Sequence, residues 1–487
     1  MNEIVASAWA RLPDYLSGHV ALSAAALALG IAISLPLAIA ARSNAALRWI
    51  ALTSASIVQT IPSLALLALF YPILLGLSHL SADWFGLHVS ALGFLPALSA
   101  LTLYSMLPVV RNTIVGLAGV DADAVDAARG IGMTDTQVLR RVELPLAAPV
   151  IIAGVRTSAV WVIGTATLAT PVGQTTLGNY IFTGLQTENW VFVLFGCIAA
   201  ALLALIVDQT IALIERGFAQ RDRRRVIGGV AALAAGALIA LAPSFAGARP
   251  HYVIGAKTFS EQLILAQLMA DRLQAAGEPA ETRTGLGSSI ILRALSEGDI
   301  DAYVEYSGTI WANDMGHSDN PGRAAVNAQV RDWLMRTRGV SVLGELGFEN
   351  AYALAMRRDR AEALHAAAIG DLAASAPDLR VGGDYEFFGR PEWRAIQSAY
   401  GVRFRQERTY QPTFMYRALA SGDVDVISAY SSDGRIAADD LVVLADPSQA
   451  IPPYDAIILI SPRRAHDAVL RAALMPLVGA IPVACMQ

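Results

Sequence analysis

Four tyrosines in the second half of this chain, Tyr306, Tyr352, Tyr430 and Tyr454, stand in polar, turn-like settings instead of apolar stripes. Aromatic faces in such settings are candidate ligand contacts. Taken singly, each tyrosine reads first as an amphipathic packing residue. No Ser-His-Asp set, metal cluster or paired carboxylate stands out beside them, so the sequence points to binding and away from catalysis. Lys257 is the only lysine and follows Ala256, which excludes a G-x-x-x-x-G-K-[ST] phosphate loop. Cys197 and Cys485 have no metal-ligand spacing, and neither a disulfide nor a zinc site is expected.

Two further charges sit deep in apolar runs. Arg156 lies nine residues beyond Ala147 and Asp208 eight residues before Arg216. At the helical rise both are therefore roughly 12 to 14 Å inside their runs. An isolated charge at such depth costs about 2.5 to 3.5 kcal/mol on insertion scales. Either the two pair, or a water-filled path solvates each separately.

Positioning these residues takes two kinds of framework. The chain has 487 residues, 55% hydrophobic and 16% charged, with mean hydropathy +0.47. Disorder and an ordinary single soluble domain are both excluded. Charged residues number 25 of the first 248 and 52 of the last 239. The first half reads as an all-α, membrane-embedded domain. The second reads as a soluble α/β domain of net charge -6, with no support for nucleic-acid binding. Boundaries are expected at 1–220, 221–248 and 249–487.

Apolar runs long enough to span a bilayer fall near 18–41, 49–77, 89–110, 147–171, 189–214 and 226–245. Arginines cluster after the first, third and fifth, while the intervening loops, about 78–88 and 172–188, have no Arg or Lys. Short cytoplasmic loops retain basic residues, so the N-terminus and residues 249–487 are expected outside a bacterial cytoplasmic membrane. The joint at 221–248 has a basic cluster, an apolar run and the small-residue end Ala246-Gly247-Ala248. It reads either as a retained sixth membrane helix or as an internal secretory signal.

Between the third and fourth runs lies "DADAVDAARGIGMTDTQVLRRVELPLAAPVI", which reads as helix, glycine turn, helix, with Asp121 and Thr134 or Asp135 as caps. The stretch resembles the EAA loop of bacterial ABC-importer permeases, whose pattern is E-A-A-x3-G-x9-I-x-L-P. Here Asp126, Ala127, Ala128, Gly132, Val142, Leu144 and Pro145 occupy those positions, with Asp for Glu and Val for Ile. The resemblance implies a coupling helix that docks on an ATPase carried by a separate chain, in keeping with the missing phosphate loop. It also implies a pair of copies of this chain working with two ATPases, and no cofactor beyond the ATP the partner binds.

In the second half, strand-like "YVIGAK" and "DIDAYVEY" alternate with helical stretches, and "GLGSSIILRAL" offers backbone N–H groups at a helix start. The segments "GAKTFSEQ", "YVEYSGT", "ENAYALAM", "DVDVISAYSSDGRI" and "PPYDA" resemble the binding proteins of the glycine betaine, carnitine and choline uptake family. That resemblance implies a type II periplasmic-binding-protein fold. Lobe one would take 251–350 plus 454–487, and lobe two 354–446. Tyr306, Tyr352, Tyr430 and Tyr454 would cage a trimethylammonium group, with Gln262 and Thr309 on the ligand carboxylate. One departure is the end of the chain, since family members usually run on past the final helix whereas this sequence stops at "LVGAIPVACMQ".

Together the two resemblances imply a fused permease and substrate-binding subunit, not an enzyme, importing a quaternary-ammonium compound such as glycine betaine, choline or carnitine. A larger trimethylated betaine such as ergothioneine would satisfy the same residues. A membrane-tethered ligand sensor is the alternative of another class.

Overall fold

The computed structural model describes residues 2–85, 93–187, 189–246, 252–317, 319–384 and 386–486. Two compact units meet in sequence at Ala248 and Arg249. Among the described residues the first unit is all-helical, with five helices long and apolar enough to cross a membrane, or six if one bent pair counts as a span.

The helices are α1 (Asn2–Ala41), α2 (Ala45–Thr60), α3 (Ser63–Phe85), α4 (Phe94–Ala118), α5 (Ala122–Gly130), α6 (Asp135–Val138), α7 (Leu144–Ala166), α8 (Gly178–Gln186), α9 (Trp190–Ala219) and α10 (Arg223–Ala246). The single crossing expected near 49–77 is instead the pair α2 and α3, bent by 104°. Pro62 stands at the break: Ile61 is extended, and its N–H turns back to the Val58 carbonyl. Neighbours take up the backbone groups that proline frees, as a bilayer demands. Tyr104 donates its hydroxyl to the Ile61 carbonyl. The Gln59 amide lies 3.4 Å from the Tyr104 carbonyl, the one that Pro108 leaves without its usual donor. Small residues let α7 press on α4: a Cβ on Gly154 would sit 2.8 Å from the Pro108 carbonyl oxygen. The run expected at 147–171 is helical only to Ala166 and continues as a 3₁₀ segment to Val172, ending where Gly173 adopts φ +83.

The second unit holds two five-stranded sheets. The first comprises β1 (Tyr252–Gly255), β2 (Ala280–Arg283), β3 (Ala302–Tyr306), β4 (Ser341–Glu349) and β10 (Asp455–Ile460), in the order β2-β1-β3-β10-β4. The second comprises β5 (Tyr352–Arg357), β6 (Arg380–Gly383), β7 (Gln406–Thr409), β8 (Val426–Tyr430) and β9 (Leu441–Val443), in the order β7-β6-β8-β5-β9. Each sheet is parallel on one side and carries one return strand, β10 or β5, antiparallel to both its neighbours. Strands buried on both faces, such as β3 and β10, explain their unbroken apolar or packed character. The chain passes between the sheets twice, at 350–351 and 444–454, and the Asn350 N–H to Tyr454 carbonyl bond of 3.0 Å ties the two crossings together.

Candidate functional site

The return strands decide where the tyrosines meet. Tyr306 closes β3, and because β10 runs antiparallel beside it, Tyr454, one residue before β10, arrives at the same edge. Tyr430 closes β8 and faces Tyr352, which opens β5, as a direct cross-strand pair. Residues at the carboxyl ends of parallel strands line the crevice of an open α/β sheet. Lys257 after β1 and Asp384 after β6 obey the same rule.

The four rings and Phe259 surround a cavity of about 120 Å³. Tyr352 lies 5.2 Å from Tyr430 and 6.2 Å edge-on from Tyr454, between ring centroids. Phe259 stacks on Tyr430 at 5.8 Å and on Tyr306 at 6.1 Å. Gly308, inside the Y-x-G-T motif, makes room for this: a Cβ there would meet the Tyr454 ring at 2.5 Å.

Each phenol donates to a carboxylate. Tyr352 reaches Asp384 Oδ2 at 3.0 Å, and Tyr430 donates to the same oxygen. Tyr454 donates to Glu392 and Tyr306 to Glu261. Burial holds all four phenols above their ordinary range, so they remain protonated donors. A phenol that donates to an anion has a more electron-rich ring, which favours a cation on its face.

Two cations also line the cavity. Arg390, only 5% exposed, has its guanidinium 5.0 Å from the Tyr352 centroid and bonds Glu386, Glu392 and the Tyr454 hydroxyl at 3.0 to 3.2 Å. Lys257 is buried against Glu305, 5.4 Å from the Tyr306 centroid. Thr309, Gly287 and Ser288, the last opening the helix Ser288–Glu297, also line it.

In the first unit, α5 is capped by Asp121 and ends at Gly130, and two residues on Gly132, with φ of +86, turns the chain. Thr134 and Gln137 then form a reciprocal capping box that starts α6. Ala128 is packed inside while Asp126 is exposed. A π-helical turn at Leu139–Glu143 leads into α7, with Leu144 and Pro145 in its first turn. Glu143 pairs with Arg42 at the end of α1.

The first half matches a family model described as binding-protein-dependent transport system inner membrane component, over residues 30–220. The second matches the substrate binding domain of the ABC-type glycine betaine transport system, over 250–482. The choline transport system permease protein OpuBB of Bacillus subtilis is 37% identical over 43% of this chain and 88% of its own length. The chain belongs to the osmoprotectant-type ABC importers, with permease and binding domain fused. Helicobacter pylori has a protein of the same two-part description, the ergothioneine transport permease/ergothioneine binding protein EgtU, 29% identical over 86% of this chain and 75% of that protein. A solved glycine betaine/carnitine/choline ABC transporter structure overlaps 48% of this chain and 89% of its own at 28% identity, with a TM-score of 0.43.

In this importer subunit the expected residues are distributed unevenly. Tyr306, Tyr352, Tyr430, Tyr454 and Thr309 share the cavity. Gln262 does not reach it. Its amide donates to the Val304 carbonyl and the Tyr306 hydroxyl at 2.9 Å, and its oxygen accepts from the Lys257 N–H, so it braces Tyr306 from behind. Sequence reasoning missed Phe259, Asp384 and Arg390, and used Lys257 only to exclude a phosphate loop. The available signal for Lys257 was a solitary lysine inside a ligand motif. Arg156 and Asp208 do meet, through bonds of 2.5 and 2.9 Å, and Glu215, also missed, stands 3.5 Å from the same guanidinium. Gly247 and Ala248 of the cleavage-like motif lie outside the described residues; α10 is continuous to Ala246.

Proposed function

We propose that this subunit captures a zwitterionic trimethylammonium compound, glycine betaine foremost, and delivers it through its own permease half. The observation that carries the reading is one cavity lined by four tyrosine rings together with Arg390, Lys257 and Thr309. A quaternary ammonium suits the rings because it loses no hydrogen bonds on leaving water. A carboxylate suits the guanidinium and a helix start. Choline and carnitine present the same cation, with choline lacking the anionic end.

The transport cycle in this reading joins capture outside the cytoplasmic membrane to inward release, powered by ATP on a separate ATPase chain that docks at Asp126–Pro145. Two copies of the subunit would flank the path. The capped turn at Gly132 supports a docking element over the sensor reading. A second ligand reading, ergothioneine, is favoured by the fused relative that matches both halves.

Calorimetry of the full-length chain in nanodiscs against glycine betaine, choline, carnitine and ergothioneine tests the proposal. Binding of glycine betaine tighter than choline is expected. Tightest binding of ergothioneine would select the second reading, and no binding of any of the four would overturn both.

A further inference from the structure

Glu261 sits at the second position of the helix Ser260–Ala275, in the ligand-binding half, behind the residues that line the cavity. Its carboxylate accepts three side-chain bonds from three different parts of the fold. Tyr306 of the cage donates from lobe one, Ser432 donates from beyond β8 in the second lobe, and the Asn350 amide donates from the first crossing at 3.2 Å. Ser432 is 2% and Asn350 5% exposed, while Glu261 itself is partly buried.

We infer that Glu261 is the positioning residue that latches lobe two to lobe one and links that closure to the orientation of Tyr306; the inference rests on the cage reading above. The geometry leaves few other roles. A carboxylate in the first turn of a helix is commonly a partner for free N–H groups and the helix dipole. Here both carboxylate oxygens are taken by side chains outside the helix. Opening the cleft would separate Ser432 from Glu261 and remove one of the bonds that hold the Tyr306 phenol. The neighbouring pair extends the β5–β8 ladder by one step, to the residues that flank Asn350 and Ser432: Ala351 N–H bonds Ser431 Oγ, and Ser431 N–H returns to the Ala351 carbonyl, both at 2.9 Å.

A latch acts on escape and leaves capture unchanged, since its bonds form only after the lobes meet. Stopped-flow measurements with choline on the full-length chain in nanodiscs should show release at least about fivefold faster in Glu261→Gln and in Ser432→Ala, with association unchanged. The double variant should release no faster than the faster single, because both changes break one connection. Hydrogen exchange at the amides of Ala351 and Ser431, without ligand, should rise at least about tenfold in both variants. Release within twofold of wild type, multiplicative effects in the double variant, or unchanged exchange would each overturn the latch. Failure of choline to bind the wild-type chain would count against the cage reading, and the exchange measurement would still decide the latch.

Discussion

The two halves of this subunit solve opposite problems with charge. The membrane half has few charges, and at the depth of Arg156 it neutralises one with Asp208 and Glu215. The binding half buries many: Lys257, Asp384 and Arg390 line one cavity, and the buried Glu392 stands behind it. There the carboxylates take donors from the protein's own phenols and cations. An ion pair in hydrocarbon is a condition for insertion. A well-paired network around a cage is a condition for selectivity, since an unpaired polar group there is costly; Glu392 Oε2 and Asn350 Oδ1 are left without a protein partner.

The contrast can be broken at its most mechanical point first. Gly132→Asp should abolish transport while ligand binding stays within twofold of wild type, because φ of +86 at Gly132 strains any side chain and the turn would misplace α5 against α6. Uptake in proteoliposomes with the matching ATPase, measured beside calorimetry, separates the two. Undiminished uptake would remove the loop from the mechanism.

On the binding side, Tyr430→Ala or Tyr306→Ala should weaken binding of glycine betaine by at least about tenfold, or 1.4 kcal/mol, in a domain that stays folded by circular dichroism. Phe at either position should do less harm, since the face remains. Arg390→Gln sharpens the division of labour inside the cavity: glycine betaine should lose about tenfold more affinity than choline, which has no carboxylate for the guanidinium. Equal losses would assign Arg390 to the shape of the cavity alone.

In the membrane half, Arg156→Asp and Asp208→Arg should each lower the yield of inserted protein, in line with the roughly 2.5 to 3.5 kcal/mol of an unpaired charge. The double exchange should restore most of it. No recovery would mean that Glu215 or water, and not Asp208, holds Arg156.

Much of this was readable from residue types, and the remainder from none of them. Apolar runs located the helices because hydrocarbon thickness fixes their length. The bend at Pro62 was not readable, since proline inside a membrane helix is tolerated whenever a neighbour such as Tyr104 serves the freed groups. Asp121, Gly132 and Thr134 were legible as caps and a turn because those roles are local. The tyrosines were legible through their motifs, and the Tyr352–Tyr430 pairing through a register that only the fold supplies. Arg390 lies in "FFGRPEW", where nothing local separates it from a surface arginine; the second sheet turns it inward. Gln262 shows the opposite failure, a motif residue whose side chain is engaged behind the wall.

The central claim is that ring faces recognise positive charge, and the sharpest comparison is between choline and its neutral isostere 3,3-dimethylbutan-1-ol, which replaces the nitrogen by carbon at nearly the same shape. Calorimetry on the full-length chain should find choline bound at least about thirtyfold more tightly, from several faces each contributing about 0.5 to 2 kcal/mol. Equal affinity for the two would show that the cavity selects size and apolar surface, and would contradict the cage.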